Sequence, residues 1–216
     1  MKNLLIPLLL CLTAFANACS TNEQADTNNP APANQKRPET VGNTKGAFLT
    51  NESTVSEAPK TGNVKTPSKK DCENIDTGDN RVLKSQTFPI DFKPFEGSCF
   101  VTEHNPEYDD PPLGSEIYIY KNGKRIYQFS SRYNPDSATC WVEAVAFEDL
   151  NNDSLKDIIV AGKCGAKSGD VQGNEVFIND GKDFYTSVEA NDKLDEFSKI
   201  KDIANFVRNN QEIFRP

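Results

Sequence analysis

Histidine is nearly absent: the 216 residues hold one, His104, and no Cys-x-x-Cys pair accompanies it. Zinc sites draw on clustered His and Cys ligands, so that chemistry has no ligand set here. There is also no G-x-S-x-G nucleophile elbow and no glycine-rich phosphate loop, which removes the serine-hydrolase and nucleotide-binding signatures. Long apolar runs are missing as well. The one run, Leu4–Phe15, is too short to span a bilayer. Aromatic residues are withheld from positions 20–70, where Phe48 is the sole example. That stretch is rich in Asn, Thr, Pro, Ala and Lys. It cannot bury enough apolar surface to offset its ordering entropy, and reads as a disordered spacer. Positive charge is outnumbered by negative beyond residue 70. From the formal −8 of the whole chain, Lys2 and the spacer's seven basic and five acidic residues are removed, leaving −11 for residues 71–216. That excess argues against nucleic acid and favours divalent cations and cationic partners.

What is present begins with an export signal. Residues 1–18 combine Lys2, the apolar run and small residues at Ala16 and Ala18. Cys19, Ser20 and Thr21 come next, and the segment resembles a bacterial lipoprotein signal. The resemblance implies a lipid on Cys19 and, with Ser20 rather than Asp beside it, sorting to an outer membrane. Ordinary cleavage after Ala18 would instead leave a free secreted protein. Cysteine parity separates the two. Cleavage leaves Cys19, Cys72, Cys99, Cys140 and Cys164, an odd number in an oxidising compartment. Lipidating Cys19 leaves four, enough for two disulfides. The expected order is therefore signal (1–18), lipidated Cys19 with a disordered linker (19–70), and one folded domain (71–216).

The domain reads as mainly β, a two-layer antiparallel sheet or sandwich with one C-terminal α-helix. Short strands are expected at Ser85–Phe92 and Ser98–Glu103. Glu116–Lys121 and Lys124–Phe129 flank Asn122-Gly123, a strong hairpin signal. Counting outward from that turn, Ile119 faces Ile126 and Tyr118 faces Tyr127. One face is then aliphatic (Ile117, Ile119, Ile126) and the other aromatic (Tyr118, Tyr120, Tyr127, Phe129). A second turn at Asp180-Gly181 sets Phe177 opposite Phe184. Ile200, Ile203, Ala204 and Val207, with Phe197 one turn upstream, recur at helical spacing. They predict an amphipathic helix over 195–209 that covers the sheet.

The densest chemistry lies in Phe147–Gly162, FEDLNNDSLKDIIVAG. Asp149, Asn151, Asp153 and Asp157 occupy positions 1, 3, 5 and 9 of a loop, and Leu155 at position 7 offers its carbonyl. Oxygens at every second residue of a tight loop suit Ca²⁺. Ser154 stands where glycine is usual at position 6, and Val160 where an EF-hand has its bidentate glutamate. The flanks read as strands, so this is a strand–loop–strand calcium hairpin. An Asp/Asn-rich turn that carries no ion is the other reading of the same residues. If the hairpin pairs symmetrically, Ala146 faces Ile158 and, six residues further out, Cys140 faces Cys164. Cys72 is then left for Cys99.

The loop, with Asn174–Phe184 (NEVFINDGKDF) after it, resembles one FG-GAP/VCBS-type repeat. The resemblance covers about forty residues. It implies calcium held by Asp149, Asn151, Asp153 and Asp157 in a β-rich extracytoplasmic module, and no particular activity. One such repeat is too few for a propeller. A weaker resemblance, to periplasmic lysozyme-inhibitor-like calcium proteins, implies a cationic lysozyme-like partner. His104 sits in an acidic loop with Glu103, Glu107, Asp109 and Asp110, stiffened by Pro106, Pro111 and Pro112. A second cation or acid–base site is one reading of that loop; a solvated acidic loop is the preferred one. The expectation is a non-enzymatic, calcium-binding, envelope-anchored interaction module. The alternative is a hydrolase, or its accessory domain, acting on envelope polymers with such carboxylates.

Overall fold

In the computed structural model, residues 44–48, 65–133 and 139–215 are described. Cys19 and most of the expected spacer lie outside them. The strands are β1 (Thr44–Lys45), β2 (Ala47–Phe48), β3 (Arg81–Val82), β4 (Phe88–Ile90), β5 (Ser98–His104) and β6 (Glu116–Lys121). They continue with β7 (Lys124–Gln128), β8 (Cys140–Glu148), β9 (Asp157–Ala166), β10 (Gly169–Gln172), β11 (Glu175–Asn179) and β12 (Phe184–Thr186). Helices α1 (Lys69–Glu73), α2 (Val188–Asp192) and α3 (Ile200–Asn209) complete the described elements, with short 3-10 turns between. One sheet runs β1-β12-β11-β9-β10, with β8 also on β9; the other runs β2-β7-β6-β5-β3, with β4 also on β5. All pairings among the described strands are antiparallel, so the mainly β, two-sheet expectation holds.

The sheets meet through Phe100, Ile117, Ile119, Tyr127, Phe129, Val142, Ile158, Val160, Phe177 and Phe184. Phe129 is the centre of that layer, with ring centroids of Tyr127 and Phe177 at 5.0 Å and Phe184 at 5.4 Å. The outer face of the first sheet (Ile159, Ala161, Val176, Ile178) is covered by Ile203, Ala204 and Val207 of α3. On the outer face of the second, Cys72 of α1 packs with Cys99, Val101, Tyr118 and Tyr120.

Two β-bulges decide which side chains reach these layers. Asn122 (φ +51) and Gly123 (φ +72) form the expected two-residue turn, and Lys121 faces Lys124. The register then shifts between Ile119 and Tyr120, so Ile119 faces Tyr127 and Tyr118 faces Gln128. One extra residue turns every later side chain over. Tyr127 and Phe129 therefore join the isoleucines in the core, against the expected separation of aliphatic and aromatic faces, while Tyr118 and Tyr120 keep to the other face. The second bulge, between Val142 and Ala144, lies in β8. Beside the loop Ala146 faces Ile159 rather than Ile158, yet beyond the bulge Cys140 faces Cys164. Both expected disulfides are present, Cys140–Cys164 and Cys72–Cys99.

Other boundaries moved for local reasons. The expected strand at 85–92 is a helical turn, Lys84–Gln86, and then three strand residues. Gln86 turns its carbonyl side chain to the Val145 amide, and Pro89 confines β4 to an edge. The second hairpin closes with Asn179 opposite Phe184, not Phe177, because the Asp180 carboxylate accepts the Lys182 and Asp183 amides and widens the loop. Helix α3 starts at Ile200 rather than 195, since Asp195 is drawn away to Arg132 and the Asn174 amide.

Candidate functional site

Asp149 comes directly after β8, and its carboxylate organises the loop. It accepts the amides of Asn152 at 2.7 Å, Asp153 at 3.2 Å and Ser154 at 2.9 Å. Those bonds curl the chain so tightly that Asn152 (φ +63) and Ser154 (φ +69) take left-handed backbone. Ser154 thus adopts the conformation that glycine supplies at position 6, at the cost an L side chain bears there. Asn151 and Asp153 bond within the loop: the Asn151 amide donates to one Asp153 oxygen at 2.8 Å, and the other accepts the Leu155 amide. Asp153 is exposed, and Asn151 and Leu155 are half-buried.

Asp157 differs. It opens β9 fully buried, and its two oxygens accept the Leu150 and Asn179 amides, each at 2.8 Å. Burial, helped by the charges of Asp153 and Asp149, pushes its carboxyl up to about 6 against those two hydrogen bonds. Among the described residues no cationic side chain pairs with Asp149, Asp153 or Asp157; Arg208 instead reaches Glu148 at 2.6 Å. Nor do three carboxylates converge tightly enough among the described residues to form a ready metal cluster. The donor set is nevertheless all oxygen, which fits a hard divalent cation. Asp157 is bound into the framework, and the exposed residues fold onto Asp149.

Asn179 ties the loop to the turn that follows β4. Its side-chain amide donates to the carbonyls of Lys93 at 2.7 Å and Lys156 at 3.0 Å, while its backbone amide holds Asp157. Gln211, just after α3, donates to the Leu150 carbonyl.

The acidic loop departs from the expectation in part. Glu107, Tyr108, Asp109 and Asp110 are exposed, but His104 is 3% exposed, with Nδ1 at 3.0 Å and 2.9 Å from the Asn105 and Tyr108 carbonyls. Nε2 lies 3.9 Å from Asp109, which pairs with Arg81. Glu103 is buried on the opposite face of β5 and forms a cluster that sequence reasoning missed. It accepts from Tyr120 Oη at 2.5 Å, Arg125 Nη2 at 2.6 Å and Asn80 Nδ2 at 3.2 Å. Arg125 also lies 4.4 Å over the Tyr118 ring. Burial raises the Glu103 carboxyl despite these partners, and likewise raises the phenols of Tyr118 and Tyr120. The available signal was alternation: Cys99, Val101 and Glu103 share one face of a strand whose first two members are apolar.

No known family model matches the chain, and neither curated proteins nor solved structures include a significant match. The resemblance of the loop to FG-GAP/VCBS-type repeats therefore rests on its own residues.

Proposed function

We propose that this chain is a non-enzymatic, envelope-anchored module that binds one Ca²⁺ in its 149–157 loop and offers an acidic surface to a cationic protein. The observation that carries the calcium reading is the gathering of Asp149, Asp153 and Asp157 on one loop, with no described cation paired to any of them. A divalent ion would offset charges that otherwise repel. Asp149, Asn151, Asp153, the Leu155 carbonyl and Asp157 would hold it. Its part is charge compensation and ordering, with no reaction attached. Affinity should fall in the weak range of extracellular modules, about 10⁻⁴–10⁻³ M, because position 12 offers no bidentate carboxylate.

Calorimetry on the mature protein is the test. Ca²⁺ should give heat and raise the melting temperature; Asp153→Ala should abolish both and Asp109→Ala neither. No heat with the wild type would remove the calcium reading. Anchoring through Cys19 is tested by a fatty-acid probe that tags the wild type and not Cys19→Ser. Equal labelling, or a soluble wild type, means ordinary secretion. The −11 charge of residues 71–216 supports the cationic partner. Inhibition of a cationic lysozyme, measured beside release of peptidoglycan fragments by the protein itself, separates an inhibitor from a hydrolase.

A further inference from the structure

Residues 44–48 lie inside the stretch whose composition predicts a spacer, yet their backbone pairs with both sheets. Thr44 faces Thr186 and Lys45 faces Tyr185 on β12; Ala47 faces Gln128 and Phe48 faces Tyr127 on β7. Neither receiving strand depends on them, since β12 is also paired with β11 and β7 with β6. Gly46 makes the crossing, over the buried ring of Tyr127. A Cβ at Gly46 would overlap the phenol oxygen and the adjoining ring carbons. The phenol donates to Asp183 Oδ1 at 2.6 Å and accepts the Gly46 amide. The same Asp183 oxygen accepts the Phe184 amide at 2.8 Å.

We infer that the edges of β7 and β12, with the Tyr127 hydroxyl between them, form a docking groove for an extended peptide with glycine at its centre, and that Thr44–Phe48 is the ligand carried on the same chain. Pairing to a sheet edge is a recognised mode of peptide binding, in which main-chain hydrogen bonds supply affinity. Selectivity here comes from Tyr127, which leaves no room for any side chain at the central residue. Two residues on each edge make a ladder short enough to open locally while the sheets stay intact. Because Asp183 holds the phenol independently of the segment, the groove persists when the segment leaves.

The test uses the full chain and trypsin, whose site after Lys45 is protected when the segment is docked. Gly46→Val should raise cleavage there about tenfold or more, since cleavage tracks the open population, while the disulfide-bonded remainder resists. Thr44→Pro, which removes a donor from β1 and leaves Gly46 alone, should do the same. A labelled peptide of residues 42–50 should bind the Gly46→Val protein and not the wild type, and a peptide with valine at the central position should bind neither. Unchanged cleavage in both variants, or a peptide that ignores the emptied groove, would overturn the inference. So would loss of the near-ultraviolet signal of the whole domain in both variants, which would make the segment an integral part of the fold.

Discussion

Replacing Arg125 by methionine would leave the Glu103 carboxylate buried without its cation. Glu103 is fully buried and Arg125 keeps 35% of its side chain in water. Breaking a buried pair by removing one partner costs about 3–5 kcal/mol; the exposed part of Arg125 places this case at the lower end, about 3 kcal/mol. The stacking of the guanidinium over Tyr118 adds about 0.5–1 kcal/mol. The sign of the pH dependence is set by burial, which raises the Glu103 carboxyl in the folded state. A raised carboxyl contributes stability that is fully present below the unfolded value of about 4.3 and is lost as pH rises through the folded one. Arg125 lowers that folded value, so removing it widens the window. The deficit of Arg125→Met should be largest near pH 8 and shrink towards pH 5. Urea melts of wild type and variant at both pH values, at one salt concentration, measure it. A deficit under about 1 kcal/mol, or one of equal size at both pH values, would refute the reasoning. Adding Glu103→Gln to the variant should recover part of the loss.

Two further outcomes test the fold around the site. Phe129→Ala empties the ring between the sheets and should cost about 3–5 kcal/mol in a urea melt, whereas Tyr108→Ala, at a residue 47% exposed, should stay within about 0.5 kcal/mol. Cys140–Cys164 closes a separation of 24 residues, a contribution of about 3–4 kcal/mol on the chain-entropy model, while Ca²⁺ at ten times its dissociation constant would add about 1.4 kcal/mol. Replacing Cys140 and Cys164 by serine should therefore lower the melting temperature of the domain by about 10 °C and chelation should raise hydrogen exchange in the 149–157 loop alone; a domain that chelation unfolds and loss of this disulfide spares inverts that order.

Turn chemistry and apolar periodicity were legible in the sequence: Asn122-Gly123, the loop after β8, the spacing of α3 and the cysteine pairing all come from it. Register was not. A bulge is an extra residue whose position depends on packing across the sandwich, and no local signal in IYIYKNGKRIYQF or WVEAVAF marks it. The consequence was largest at Tyr127, expected on one face with Tyr118 and Tyr120 and found in the core between the sheets. The cysteines came out in register because they lie beyond the bulge in β8, where the symmetric count applies again. Segment 44–48 was hidden for a different reason. Its pairing partners lie some 80 and 140 residues away, and composition averaged over the spacer dilutes a five-residue strand pair.

The loop proposed to hold calcium shares a residue with the framework, and this decides which substitution can test it. Asp157 would supply the ninth-position oxygen, but the same carboxylate joins the Leu150 amide to Asn179, whose side chain reaches the Lys93 carbonyl in the turn after β4. Removing it would orphan two buried amides, each costing about 1–3 kcal/mol. Lost ion binding in Asp157→Ala would therefore be indistinguishable from a loosened hairpin. Asp149 is little better, since three amides depend on it. Asp153 is exposed, and its carboxylate accepts only from the Asn151 side chain and the Leu155 amide among the described residues. Substitution there removes a charge and both carboxylate oxygens while β8, β9 and Asn179 keep their partners. A loss of calcium heat at unchanged metal-free stability in Asp153→Ala can then be ascribed to the ion site itself.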